Sequence, residues 1–370
     1  MTLLNSPERP RISDVSLVIP CNHSREELIV LLRAVFSGTL LPKEVLIIRS
    51  GSRTSTQKDA PSTPLLDALT ADGLSKVDHL GIQIYDVNFA FPGEARNIGV
   101  NHARGDLIAF LDVKTIPEQN WLERACENLK DSSIDGVWGS RSYDCNTVLA
   151  GLIRDAIHGR RPVRSVAGSV FRRRVYSVTG QMISWTPAGE DGDWMHRIEA
   201  HKLLFLMPKK SNHSYQGLDN KSILFFIKKW WRYYHYSRHL PVNNRDRWLS
   251  FGLIYIVLIF LAFNWNYKIS AAILGSPLVV PHITTGLAIA GPIAYVLVRA
   301  IYLPLRRGVP FLSLFPARLC PMLLVASILD FVKTLALLLP LPHEYGLGKK
   351  ASKLVGFDTD AQQPTASSRK

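Results

Sequence analysis

The stretch Gly105-Asp106-Leu107-Ile108-Ala109-Phe110-Leu111-Asp112-Val113-Lys114 is an apolar run of strand character that ends in an aspartate, with a lysine two places on. A carboxylate at the exposed end of a buried strand is placed to meet a cation or a polar ligand. Asp-x-Asp there would seat a metal-bound diphosphate. Asp112-Val113-Lys114 keeps one acid and puts a positive charge where the other would stand. Taken alone, Asp112 reads equally as a turn aspartate after a strand.

A second group is Ala188-Gly189-Glu190-Asp191-Gly192-Asp193-Trp194-Met195-His196-Arg197, where Glu190, Asp191 and Asp193 crowd a loop entering a helix. They fit an N-terminal cap with favourable charge–dipole interactions. They fit as well a general base for deprotonating a hydroxyl, because crowded like charges raise a carboxyl pKa. A third group, Pro92-Gly93-Glu94-Ala95-Arg96-Asn97-Ile98-Gly99, opens a helix; Gly93 loosens its start and Gly99 allows close contact with a sheet. Arg96 then lies beside a helix N-terminus, an arrangement suited to phosphate, while a solvated surface arginine is the plainer reading.

Strands and helices must hold these groups together. Val15–Ile19, Glu44–Ile48, Gln83–Val87 and Leu107–Leu111 read as strands, Glu26–Phe36 and Ala95–Ala103 as helices, and Thr54–Ser75 as a surface loop. This alternation predicts an α/β fold, a mainly parallel sheet with ligands at the carboxyl ends of its strands. The first strand ends in Pro20-Cys21-Asn22 and the second in Arg49-Ser50-Gly51-Ser52, so both turns fall on that edge.

From Leu249 the character changes. Leu249–Tyr267 carries no charge and is long enough to cross a bilayer. Ile269–Val298 is apolar but broken by Pro277, Pro281 and Pro292, and Leu319–Pro340 contains Asp330 and Lys333. Upstream lies Leu224-Phe225-Phe226-Ile227-Lys228-Lys229-Trp230-Trp231-Arg232-Tyr233-Tyr234-His235-Tyr236, whose rings and cations suit a headgroup zone. Lys+Arg 44 against Asp+Glu 30 gives a net charge of +14, which suits nucleic acid, anionic lipid or phosphorylated ligands. Its placement beside an apolar segment selects lipid over nucleic acid. Arg245 and Arg247 add to the excess and place the N-terminal domain in the cytoplasm, while Lys349, Lys350 and Lys353 favour the same side for the tail. Cys21, Cys126, Cys145 and Cys320 show no zinc spacing and read as reduced thiols. The first ten residues have no apolar core of a signal peptide. The expected layout is a tail over 1–12, an α/β domain over 13–222, an interfacial segment over 223–247, a membrane region over 248–342 and a tail over 343–370.

In their order and spacing these pieces resemble the catalytic domain of glycosyltransferase family 2, inverting nucleotide-sugar transferases of the GT-A fold. The resemblance runs from about Val15 to Leu206 and rests on the Val-Ile-Pro strand, Glu44-Val-Leu-Ile-Ile with Gly51-Ser52, and Gly93-x-x-Arg96-Asn97-x-Gly99. It continues through Ala103-Arg104-Gly105-Asp106 to Leu111-Asp112, then Phe171-Arg172-Arg173 and Gly189-Glu190-Asp191-x-Asp193 with Arg197. It implies that Pro20, Gly51 and Ser52 line the nucleotide pocket, that Arg96 and Asn97 lie near the nucleotide-sugar, and that Asp112 is the first acid of a site for Mg2+ or Mn2+. It implies further that Asp191 is the catalytic base, with Glu190, Asp193 and Arg197 about the acceptor and its loop. Members with C-terminal spans glycosylate lipid-linked or exported glycans. The implied partners are therefore a nucleotide-sugar, a lipid-linked or polysaccharide acceptor, membrane lipids and other glycan-assembly proteins. The implied place is a bacterial inner membrane, multi-pass, and the implied process cell-envelope polysaccharide synthesis.

The sequence departs from that pattern at Asn22 and His23, at Arg49 and Ser50 where acids contact the base, and at Lys114. A divalent ion at Asp112 would lose a ligand and meet a cation. Two functions follow: a transferase in which Lys114 and Asp112 meet the donor diphosphate with little or no metal, or an inactive membrane-bound scaffold of glycan enzymes. The intact Glu190-Asp191-x-Asp193 loop favours the first. A transporter is disfavoured because more than half the chain reads as an α/β domain, and no Gln-x-x-Arg-Trp motif of processive synthases follows the base.

Overall fold

A computed structural model describes residues 11–22, 25–51, 81–237, 290–291 and 293–339 of the protein. Its centre is set by three strands whose residues are apolar almost without interruption: β1 (Val15–Cys21), β2 (Glu44–Ser50) and β4 (Leu107–Phe110). Such runs belong to strands covered on both faces. The period of two then divides them. Leu17, Ile19, Val45, Ile47 and Ala109 pack beneath α1 (Arg25–Phe36). Val18, Leu46, Ile108 and Phe110 pack on the other face with residues of three more helices. These are α2 (Pro92–His102), α5 (Arg173–Thr179) and α6 (Glu190–Ala200). Ahead of the last two in the chain come α3 (Trp121–Asn128) and α4 (Val148–Ile153), the latter running into a π-helical turn over Arg154–His158.

The described strands form one sheet in the order β3-β2-β1-β4-β7-β6-β9-β5, with β8 (Phe205–Leu206) paired to β6. The remaining strands are β3 (Gly81–Val87), β5 (Thr115–Pro117), β6 (Gly136–Tyr143), β7 (Val163–Arg172) and β9 (His213–Tyr215). Pairing is parallel from β3 through β2 and β1 to β4, and again between β6 and β9. Strand β7 runs antiparallel to both β4 and β6. Two reversals restore the direction, so the ends of β1, β2, β4, β6 and β9 share one carboxyl edge, where α/β sheets place ligands. The sheet is thus mixed, and the expected strands and helices are present with ends shifted by a few residues. The Thr54–Ser75 loop, Ser52 and the Leu249–Tyr267 segment lie outside the described residues.

Helix α2 carries the arginine of the site and must lie close on the sheet. A Cβ on Gly99 would stand 2.2 Å from Val18 Cγ1, inside any tolerable contact. Gly99→Ala should therefore push α2 off β1 and lower stability by about 1–3 kcal/mol, the usual cost of overpacking. Denaturant unfolding reads this directly, and an unchanged midpoint would refute the contact.

The C-terminal helices close on the sheet domain. Helix α7 (Ile223–Ser237) packs with α8 (Leu319–Leu338), and Phe226, Val325 and Leu329 share a core with Tyr143, Ala150, Ile153 and Leu218. Arg299 donates through Nη2 to Asp330 Oδ1 at 3.0 Å and through Nη1 to the carbonyl of Ala156 at 2.9 Å. The Lys333 Nζ lies 4.6 Å from the Tyr234 ring centroid. Both charges of the third apolar region are thus met by partners. Among the described residues one helix, Leu319–Leu337, is long and apolar enough to cross a membrane by length and composition, with 39% of its most apolar window buried. Its Leu324 and Phe331 are each 62% exposed.

Candidate active site

Arg96 stands at the centre. Pro92 at the first helical positions and the Ala95 N–H bond to Phe91 O start α2 at the carboxyl edge. Gly93 keeps this start bare, since a Cβ there would sit 2.2 Å from the carbonyl of Ile183 and 3.1 Å from Glu190 Cγ. The Arg96 side chain is only 5% exposed. Its guanidinium lies 5.9 Å above the Phe110 ring centroid. It donates through Nη2 to Asp112 Oδ1 at 2.8 Å and through Nη1 to Glu190 Oε1 at 3.0 Å. Arg96 thus ties the end of β4 to the start of α6 and is held by two carboxylates rather than left open to solvent.

Helix α6 opens on Gly189 in the left-handed region, φ 93°, and its first turn holds Glu190, Asp191 and Asp193, where the helix dipole favours negative charge. Their roles separate. Glu190 is buried, and burial together with the Asp191 charge raises its pKa above the ordinary carboxyl value, against the pull of Arg96. For Asp112 burial also raises the pKa, but the Arg96 guanidinium and its hydrogen bond, with Arg141 behind, bring the net shift downward. Asp112 is the stable anion of the pair. Asp191 is half-buried, and its Oδ1 accepts from its neighbour Gly192 N at 2.7 Å.

Other expected site residues serve the frame. Asp193 accepts from Arg197 Nε at 2.9 Å, and Arg197 donates to the carbonyls of Thr179 and, at 2.9 Å, Gln181. This pair holds the loop before α6. Asn97 grips the same loop: its amide donates to Met182 O at 2.8 Å and accepts from Met182 N at 2.9 Å. Asn97 also accepts from the Tyr176 hydroxyl at 2.5 Å, which holds its side chain inside the domain. Pro20 lies opposite Ile48 at the ends of β1 and β2, and Gly51 follows with its N–H bonded to Val87 O at 3.0 Å. Arg49 at that edge is neutralised by Asp86 of β3, its Nη2 donating to Oδ2 at 2.9 Å. No sequence motif marks Asp86; the β2–β3 register places it directly beside Arg49. The Lys114 Nζ lies 3.8 Å from Glu27 Oε1 of α1. Beyond it opens a cavity of about 560 Å³ between Glu27, Val113, Asp144 and the Gln216–Gly217 turn, a size that small-molecule sites take.

Residues 16–158 match the family described as Glycosyl transferase family 2. Over those residues, fewer than half of the chain, the protein is similar to that family. Glycosyltransferase AglE of Haloferax volcanii is 33% identical over 198 residues, covering 50% of this chain and 60% of that protein. The chain therefore spans less than two thirds of that relative. The mannosyltransferase PcManGT from Pyrobaculum calidifontis, solved in complex with GDP-Man and Mn2+, superposes with a TM-score of 0.50 at 12% identity. That match covers 90% of this chain and 88% of the other, and shows a shared fold.

The matched part of the chain holds Pro20, Gly51, Arg96, Asn97, Asp112 and Lys114, and ends before α6 with Glu190 and Asp191. The residues at Asp112 do not fit a divalent ion well. Asp112 is engaged by Arg96, Lys114 occupies the second acid position, and no group of three acid, His or Cys ligands is gathered among the described residues.

Side chains that no motif singles out gather on the same edge. Arg141 and Tyr143 end β6, Tyr215 ends β9 opposite Thr115, and Lys229 reaches in from α7. Lys229 reads in sequence as one more headgroup cation beside Lys228, yet Lys228 is exposed and Lys229 is turned inward. Buried His213 on β9 is pushed down to about 3 by burial and by Arg141, so it is a neutral ring.

Proposed function

We propose that the chain is a membrane-associated inverting glycosyltransferase. It moves a sugar from a nucleotide-sugar to a hydroxyl or phosphate of a lipid-linked or cell-surface glycan acceptor. The observation that carries this reading is the Arg96 bridge, which brings Asp112 of β4 and the acidic first turn of α6 together at the carboxyl edge of the sheet. An inactive scaffold has no chemical need for that convergence.

In this reading Asp191 takes the proton from the acceptor hydroxyl, and the freed oxygen attacks the anomeric carbon on the side opposite the nucleotide. The bond from that carbon to the diphosphate oxygen breaks, its electron pair leaves with the diphosphate, and the configuration inverts. A carboxylate base suits this step because it is needed only as the oxygen becomes a nucleophile. The leaving charge is met by Lys114, whose loose pairing with Glu27 at 3.8 Å leaves it free to turn toward a stronger anion. Arg96 stays between Asp112 and Glu190 and keeps the two strand and helix ends at a fixed spacing. The domain division, the cytoplasmic placement of the sheet domain and a multi-pass anchor built from the apolar segments complete the proposal. What supports the membrane part of this reading is one apolar helix among the described residues, Leu319–Leu337, and the collar on α7.

The test is transfer by full-length protein in detergent, across a panel of nucleotide-sugars, with Mg2+, with Mn2+ and with excess EDTA. Turnover should survive EDTA and fall at least about tenfold in Lys114→Ala, the effect of losing one charge-assisted contact. Turnover abolished by EDTA would show that Asp112 holds an ion. Absence of both turnover and donor binding would return the scaffold reading.

A further inference from the structure

Helix α8 has two apolar faces, and one of them is covered by protein. Met322 and Ala326 share a core with Leu152 and Ala156 of the α/β domain. Val325 and Leu329 share another with Tyr143, Ala150, Ile153 and, from α7, Phe226. Further along, Lys333 Nζ sits over the Tyr234 ring, and the Ala336 carbonyl lies 3.1 Å from His235 Nδ1. This face is packed from Met322 to Ala336, a length of about 21 Å along the axis. The other face carries Cys320, Leu324 and Phe331, all exposed, with Ile328 and Leu335 partly exposed beside them.

Length and composition suit α8 to crossing a bilayer or filling a protein core. Its packing fits neither. A core helix would not leave Leu324 and Phe331 each 62% exposed. A crossing helix would carry its neighbours into the hydrocarbon with it. Along its first half those are α4 and the Arg154–His158 turn of the α/β domain, and along its second half α7. The turn holds Asp155 under Arg154, Arg160 and Arg318, and α7 exposes Lys228 and Arg232. Charges in such numbers are strongly disfavoured inside a bilayer. A helix with protein on one face and bare apolar side chains on the other fits the membrane surface, its axis in the plane. Charge selects lipid over a second copy of the chain. Lys228 and Arg232 flank the exposed Leu224 and Phe225 on α7. Arg160 and Arg306 stand exposed near the turn before α8, where Phe311 and Leu312 are also exposed. Two such faces would repel each other, whereas anionic headgroups would neutralise the cations.

We propose that α8 lies in the plane of the membrane surface and does not cross it, with Leu324 and Phe331 among the lipid chains and the exposed cations of α7 at anionic headgroups. This rests on the membrane-associated reading above and changes its count of crossings. They fall to the apolar segments upstream, Leu249–Tyr267 and Ile269–Val298. Two crossings return the chain to the side of the α/β domain, the side that Lys349, Lys350 and Lys353 favour.

Sidedness tests this on the full-length chain expressed in bacteria, with its four native cysteines changed to alanine. Single cysteines are placed before the helix, Arg306→Cys, and after it, Ser352→Cys, and labelled with a membrane-impermeant maleimide. Both should label in inside-out vesicles, and both should be protected in spheroplasts. Labelling from opposite sides would overturn the proposal, because α8 then crosses. Depth is read in vesicles of phosphatidylcholine and phosphatidylglycerol, with a fluorophore on Leu324→Cys or Phe331→Cys and brominated lipids as quenchers. An in-plane helix puts both sites at one depth, whereas a crossing helix separates them by about 10 Å. Quenching at neither site would also overturn the proposal, since protein then covers that face. If the membrane reading itself fails, the chain is recovered in the soluble fraction and both readings fall together. Opposite-side labelling removes the in-plane helix alone. Should the cysteine-free chain not fold, Cys320→Ser by itself gives the background, because Cys320 is the exposed cysteine.

Discussion

Asp191→Asn should reduce sugar transfer by about 10²–10⁴-fold, the range a positioned general base contributes, with donor affinity and thermal stability left in place. The substitution is nearly isosteric, and the Oδ1 that accepts from Gly192 N is retained. Only the ability to take a proton is lost. The contrast with its neighbour sharpens the test. Glu190 is buried against Arg96 and carries a raised pKa, so Glu190→Gln should act through the geometry of the bridge and disturb stability as well as rate. If Asp191→Asn transfers sugar at the wild-type rate, Asp191 is a cap residue and the base lies elsewhere.

Removing Arg96 should be the most damaging single change to the fold of the site. Its two partners come from β4 and α6, so Arg96→Ala leaves Asp112 and Glu190 facing one another without a cation. Breaking a buried pair in this way costs about 3–5 kcal/mol. The loss should depend on pH, and the sign follows from both carboxyls. Glu190 already has a pKa raised above its unfolded value of 4.5, so its contribution to stability is greatest below that value and is lost as pH rises. Without Arg96 the rise is larger. Asp112 has a lowered pKa in the presence of Arg96, so it stabilises above its unfolded value, and the variant forfeits that gain. Both effects make Arg96→Ala weaker relative to the wild type at pH 8 than at pH 5, as paired thermal melts would show. A gap that does not widen with pH would mean that the bridge is not the seat of the effect. Arg96→Lys should fall between, because an ammonium cannot span two carboxylates as a guanidinium does.

The parts of the molecule legible in the sequence share a physical cause. Strands β1, β2 and β4 are covered on both faces, so each shows as an unbroken apolar run. Their ends then locate Pro20, Gly51 and Asp112 without further information. Glu190 and Asp191 announce themselves as charge packed into one helical turn. What stayed hidden depends on pairing between distant segments. Asn97 looks like a ligand residue beside Arg96, and only the approach of Met182 shows that its amide is engaged there. Asp86 becomes the partner of Arg49 through the β2–β3 register. Arg141 and Tyr215 sit on short strands whose residues carry no motif, and they meet because β6 and β9 pair. Lys228 and Lys229 are adjacent in sequence but point about 100° apart on a helix, so a run of cations conceals one that faces inward.

The family match ends at residue 158, within the π-helical turn whose Ala156 carbonyl receives Arg299. That boundary is a boundary of likeness between sequences and not of folding. Strand β7, between β4 and β6, comes after it, as does α6. Leu152 and Ala156 share their core with Val309, Leu314, Met322 and Ala326. The matched segment therefore has no finished interior of its own, and the part of the chain beyond the match is also the part that completes its architecture.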